Sequence, residues 1–156
     1  MKTELILVSK TTDKHLMAGI NDYLERISHY MPFEIIVIPE LKNTKNMTEE
    51  QQKVREGELI LQKIQPSDTV VLLDEHGKQF RSVEFADWLQ KKQNTARKLV
   101  FIIGGPYGFS EPIYTRANEQ ISLSKMTFSH QMVRLLFVEQ IYRACTIIKG
   151  EPYHHE

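Results

Sequence analysis

Short runs of β-branched and apolar residues alternate with helical segments from one end of the chain to the other, and few folds accept that pattern. Residues 5–8, Leu-Ile-Leu-Val, read as a buried first strand. Leu16, Ile20, Tyr23, Leu24 and Ile27 recur at helical spacing and predict a helix over 14–30, closed by Pro32. Phe33–Ile38 is a second strand ended by Pro39, and the polar stretch 41–47 reads as a mobile connection. Thr48-Glu49-Glu50-Gln51 has the pattern of a capping box, so a helix should start there. Val54, Leu61 and Ile64 would face inward, and the helix would end before Pro66. A third strand over 69–73, a turn at His76-Gly77-Lys78 and a helix over 82–93 with Phe85, Ala86 and Leu89 inward follow. The fourth strand, 99–103, leads into a glycine-rich loop, 104–109. Ser110-Glu111-Pro112 then reads as a helix start, 121–124 as a fifth strand, and the segment after His130 as one long helix to Lys149, stopped at Gly150. The expected fold is α/β, a mainly parallel five-stranded sheet flanked by helices, in a single domain spanning 1–156.

Composition narrows the setting. The 156 residues are 41% apolar, and no stretch approaches the length of a membrane-spanning helix. The four-residue apolar run near the N-terminus is too short for the core of a signal peptide, and the single cysteine, Cys145, suits a reducing compartment. A cytoplasmic protein with no membrane contact is expected. Twenty basic and twenty acidic residues cancel, so the chain carries no whole-molecule field for nucleic acid. Any RNA contact must come from a local patch, a composite surface or a partner.

The last helix is apolar on more than one side. Val133, Leu136, Phe137, Gln140, Ile141, Ala144 and Ile148 share a face, while Leu135, Val138, Tyr142 and Cys145 are apolar elsewhere on the circumference. Such a helix is normally covered on several sides, which points to a homodimer, with a central core helix as the alternative.

In open α/β sheets ligands sit beyond the carboxyl ends of the strands. Here the turn after the first strand, Ser9-Lys10-Thr11-Thr12-Asp13, has no glycine, and no G-x-x-x-x-G-K-[ST] loop occurs. The glycines come instead after the fourth strand, as Gly104-Gly105-Pro106-Tyr107-Gly108. A second, partly apolar loop, Leu123-Ser124-Lys125-Met126-Thr127-Phe128, follows the fifth. Two neighbouring loops of this kind suit an adenosine better than a bare phosphate.

At these residues the chain closely resembles a known family. Ile103-Gly104-Gly105-Pro106-Tyr107-Gly108, the segment 123–130, Val133-Arg134, Glu139-Gln140-Ile141-Tyr142-Arg143-Ala144 and Pro152-Tyr153-His154-His155-Glu156 are similar to the ribosomal large subunit pseudouridine N3-methyltransferases, the RlmH family of the SPOUT superfamily. Met31-Pro32-Phe33-Glu34 and the overall length match as well. The resemblance implies an α/β knot with a C-terminal trefoil, and a homodimer that uses S-adenosylmethionine to methylate N3 of a pseudouridine in 23S rRNA within the ribosome. It implies that Leu73, Gly104 and residues Leu123, Ser124, Lys125, Met126, Thr127 and Phe128 bind the cofactor, and Gly105 belongs to the same paired-glycine turn. Two other readings stay open: a ribosome-associated factor without transferase activity, and a flavodoxin-like nucleotide binder.

An imide nitrogen must lose its proton to act as a nucleophile, so the site needs a group that removes or stabilises charge. Arg143 is a candidate for stabilising a developing oxyanion, although Glu139 and Arg143 also form an ordinary i,i+4 pair. His154 is a candidate base by residue type, and Tyr153 could stack on a base or donate a hydrogen bond. Arg134, Arg143, Lys125 and Lys149 are candidate phosphate contacts, and His130 a candidate helix cap beside Ser129. His154-His155-Glu156 lacks partners at ligand spacing, so no metal is expected.

Overall fold

The computed structural model describes residues 1–155; Glu156, the last residue of the terminal motif, lies outside them. Five strands and five α-helices alternate: β1 (Lys2–Val8), α1 (Lys14–Ser28), β2 (Phe33–Ile38), α2 (Glu49–Leu61), β3 (Thr69–Gln79), α3 (Ser82–Thr95), β4 (Lys98–Ile103), α4 (Glu111–Arg116), β5 (Glu119–Ser122) and α5 (Met132–Ile148). The sheet is entirely parallel, in the order β2-β1-β4-β3-β5. The stretch after β2 contains a short 3-10 turn, Thr44–Asn46. No helix among the described residues is long and apolar enough to cross a membrane.

Alternation along the inner strands divides the core into two layers. Leu5 and Leu7 of β1, Val71 of β3 and Phe101 of β4 meet Ile20 and Ile27 of α1, Leu89 of α3 and Phe137 and Ile141 of α5 on one face. Ile6, Leu72, Val100 and Ile102 meet Ile60 of α2 and Ile113 of α4 on the other. Central strands buried on both faces read as unbroken apolar runs, which is why β1, β3 and β4 were legible.

Three local expectations are corrected. Helix α2 starts with the capping box, Gln51 N–H donating to Thr48 Oγ1 at 3.0 Å and Thr48 N–H to Gln51 Oε1 at 2.9 Å. Leu61 and Ile64 do pack on the core, Ile64 from just past the helix end, but Val54 is exposed and the buried residues are Glu56, Gly57 and Ile60. The helix turns toward α4 because Gly57 lies against it: a Cβ there would stand 2.6 Å from Ser110 Oγ. The turn expected at His76-Gly77-Lys78 is part of β3, which runs on to Gln79 with a register shift between Leu73 and Lys78. Gly77 permits this, since a Cβ would stand 2.6 Å from the Ile121 backbone nitrogen. β5 is Glu119–Ser122, so Leu123 and Ser124 already belong to the loop.

Candidate functional site

The loops that follow β4 and β5, with the segment of β3 at its register shift, line a cavity of about 620 Å³, inside the usual range for small-molecule sites. Its lining includes Leu73, Gly104, Gly105, Leu123, Ser124, Met126, Thr127 and Phe128, eight of the nine residues expected to bind a cofactor; Lys125 does not line it. The glycine loop is tight: Gly108 N–H donates to Gly105 C=O at 3.2 Å, and Gly108 has φ +83°. The second loop is held by its own serines. Ser122 Oγ donates to Ser124 C=O at 2.9 Å, and Met126 N–H donates to Ser124 Oγ at 3.0 Å. Met126 is 76% exposed at the mouth.

Several lining residues escaped the sequence reading. The register shift in β3 swings Asp74, Glu75 and His76 to the cavity. Asp74 is fixed there by the Tyr114 hydroxyl, which donates to its Oδ2, and by His76 N–H, which donates to Oδ1 at 2.9 Å. Burial and the neighbouring carboxylate push the Tyr114 phenol well up, so it keeps its proton and remains the donor. Beneath the glycine turn lies Glu56, 5% exposed; its Oε2 accepts from Gln52 Nε2 at 3.1 Å while Oε1 is buried with no partner among the described residues. A Cβ on Gly105 would stand 2.8 Å from that Oε1, so glycine is required for the loop to lie on the carboxyl group. Burial raises the Glu56 pKa. A polar residue on a buried helix face leaves no hydropathy signal, so nothing in the sequence pointed to it.

The start of α5 is clamped to the turn after β1. Gln131 Oε1 accepts from Thr12 N–H at 2.9 Å and its Nε2 donates to Lys10 C=O at 3.3 Å. Arg134 Nη2 donates to Val8 C=O at 2.7 Å and Nη1 to Thr11 Oγ1 at 3.0 Å. Arg134 is fully buried, which overturns its expected role as a phosphate contact. Its fork satisfies backbone and hydroxyl oxygens where β1 ends, and Ser9 there adopts φ +64°. Ser129, not His130, caps the helix entry, its Oγ accepting from Met132 N–H at 3.1 Å. His130 lines the cavity instead, its pKa lowered by burial and by the nearby Arg134 charge.

Arg143, Tyr153 and His154 are brought together, but away from this cavity. Glu139 Oε1 accepts from Arg143 Nη2 at 2.6 Å, Arg143 Nε at 3.1 Å and the Tyr153 hydroxyl at 3.0 Å. The guanidinium lies over the Tyr153 ring, 4.7 Å from its centroid. Arg143 Nη1 lies 3.1 Å from His154 Nδ1. A guanidinium only donates, so Nδ1 accepts, and His154 Nε2 is buried with no hydrogen-bond partner among the described residues. The tail is docked rather than frayed: the Tyr30 hydroxyl donates to Glu151 at 2.6 Å, Glu151 N–H donates to Thr146 C=O at 2.9 Å, and the Tyr153 ring packs edge-on against Tyr142. The hydrogen bond to Glu139 raises the Arg143 pKa, and burial with the Tyr23 and Glu139 bonds raises that of Tyr153. A smaller cavity of about 230 Å³, whose wall includes Glu139, lies between this cluster and the larger one.

A family model described as "Predicted SPOUT methyltransferase" matches residues 1–154. A Bacteroides fragilis protein named "Ribosomal RNA large subunit methyltransferase H" is 64% identical over 157 residues, which cover 100% of both chains. Proteins of that name from Phocaeicola vulgatus and Flavobacterium johnsoniae are 64% and 56% identical, again over 100% of both chains.

Proposed function

Because the chain belongs to the SPOUT methyltransferase family, we propose that it methylates RNA of the large ribosomal subunit, with S-adenosylmethionine as the methyl donor. The finer reading is N3 of a pseudouridine in 23S rRNA, modified on the assembled ribosome in the cytoplasm by a homodimer of single-domain chains. The observation that carries it is the 620 Å³ cavity, formed by the two loops in which the family motifs lie.

The residues present fit this donor. Paired glycines leave the floor free of side chains, Leu73 and Leu123 give apolar contact for an adenine, and Asp74 places a carboxylate on the wall, suited to a cationic ligand. Gly104, Gly105, Leu73, Leu123, Ser124, Met126, Thr127 and Phe128 would hold the group, with Asp74 beside them. When bound, it supplies a methyl already activated by its sulfonium, so the protein's task is alignment and management of the acceptor's charge.

Arg143 serves that charge: a guanidinium fixed by Glu139 and stacked on Tyr153 is set to stabilise an oxyanion on the acceptor base. His154 serves Arg143: its Nδ1, 3.1 Å from Arg143 Nη1, braces the guanidinium. The dimer is supported by Met126, Phe128, Met132 and Leu136, apolar side chains exposed along the loop before α5 and its first turns. The knot belongs to the same reading: the loops 104–109 and 122–130 line one cavity, and α5 then packs against both α1 and α3.

Calorimetry with S-adenosylmethionine tests the donor site; no saturable binding would sink the proposal. Labelled donor offered to ribosomes lacking the modification tests the acceptor, and incorporation into large-subunit rRNA is expected.

A further inference from the structure

Glu49, Lys53 and Glu56 follow one another at helical spacing on α2 and share a face, and the first two line the 620 Å³ cavity. Glu56 ends that row one layer deeper, behind Gly105, whose missing Cβ leaves room for the carboxyl group. A carboxylate only 5% exposed is costly to charge unless a cation accompanies it. Burial and the Gln52 amide are what act on Glu56, with no charged neighbour among the described residues. On its own helix Lys53 is tied to Glu50 at 3.0 Å and Arg55 is exposed. The turn above carries one ionisable side chain, the exposed Tyr107. Helix α4 brings Tyr114, which donates to Asp74, Arg116, which donates to the Gln65 and Asp68 carbonyls, and the exposed Glu111.

Asp74 and Glu56 therefore differ. Both oxygens of Asp74 accept from donors of the protein. Glu56 Oε1 has no partner among the described residues and faces the Gly105 backbone, which lines the cavity. In so dry a place a charge acts through a peptide group with little screening. Methyl transfer changes the charge of the ligand beyond that peptide. The S–CH3 bond breaks, its electron pair stays on sulfur and the carbon bonds to the acceptor, so a sulfonium becomes an uncharged thioether. The rest of the ligand keeps its charges. Preference for donor over product is a difference of two affinities, and a fixed negative charge is a means of creating it.

We propose that Glu56 sets this preference: its buried carboxylate takes the sulfonium as the counterion it lacks within the chain, and loses that partner when the methyl group leaves. The inference rests on the reading of the cavity as the donor site. Burial raises the Glu56 pKa in the protein alone, and a cation nearby favours the charged form. Coupling is reciprocal, so donor affinity is complete above that pKa and declines as pH falls through it, while product affinity does not follow. Calorimetry on the full chain, with S-adenosylmethionine and S-adenosylhomocysteine as probes, compares the wild type with Glu56→Gln, which keeps the volume and an oxygen for Gln52. The variant should bind the donor about tenfold more weakly, within the usual range for coupled groups, and the product as the wild type does. The ratio of the two affinities should rise with pH in the wild type and stay flat in the variant. Equal weakening of both ligands would reduce Glu56 to a support of the turn and overturn the inference. So would unchanged donor affinity, or a ratio that still rises with pH in the variant. Wild-type protein that binds both ligands alike would overturn the inference alone, whereas wild-type protein that binds neither would take down the donor-site reading and the inference with it.

Discussion

Around the 104–109 loop the polar groups face a cavity of about 620 Å³, whereas around Arg143 they face one another. Asp74 is held in place with its surroundings open to a ligand, but Glu139 Oε1 already accepts three hydrogen bonds and Arg143 already has its carboxylate and its aromatic plane. The first region is a container formed by backbone and loops. The second is a preorganised network whose geometry is set before any substrate arrives, which is what stabilisation of a developing charge requires. The difference teaches that binding and chemistry should separate cleanly by mutation.

The sharpest test is Arg143→Ala. Transfer should fall by about 10²–10³, with donor affinity unchanged by calorimetry; a matching loss of donor affinity would erase the distinction between the regions. Next is Arg134→Met, which leaves Val8 C=O and Thr11 without their cationic donor. It should lower stability by about 2–3 kcal/mol, read by denaturant unfolding, and weaken donor binding because the α5 entry loses its clamp. A stable variant with normal binding would show that the donor side does not depend on that clamp.

Glu56→Gln probes the floor of the donor side with pH. Burial raises the folded-state pKa of Glu56 above 4.5, so the folded protein binds the extra proton and loses stability as pH rises from that value through the folded pKa. The variant should therefore gain on the wild type over the same window, by about 1 kcal/mol once the wild-type carboxyl is charged. A difference independent of pH would contradict the raised pKa.

The smallest effect concerns the tail. The hydrogen bond to Glu151 pushes the Tyr30 phenol from 10.0 up to about 12. A raised pKa means its contribution to docking is complete below pH 10 and is lost as pH climbs toward 12. Anisotropy of a fluorophore at position 155 should report release of the tail in that window, and Tyr30→Phe should remove the transition. Persistence of the transition in the variant would trace it to another group.

Much of this was legible because it is periodic. β1, β2, β4, the inward face of α3 and the two cavity-lining loops follow from local hydropathy and glycine placement, and five parallel strands follow from the alternation. The misread places are those where a contact distant in sequence overrules local pattern. Helix α2 buries a glutamate and a glycine because the 104–110 segment lies on them. β3 runs through a sequence that looks like a turn because Gly77 lets β5 approach. Arg134 resembles a surface cation but lies 126 residues from the carbonyl it satisfies.

The sequence by itself determined the α/β class, the order of elements, the family and the two loops that line the larger cavity. Hydrophobic period, caps and glycines act over a few residues, so they can be read in order along the chain. Only the tertiary structure decided which polar residues share a neighbourhood. It put Asp74 on the cavity wall, Glu56 beneath the glycine turn, and Glu139 between Gln140 and the pair Arg143–Tyr153. A buried polar group is set by the partners that satisfy it, and those partners come from elements far apart in the chain.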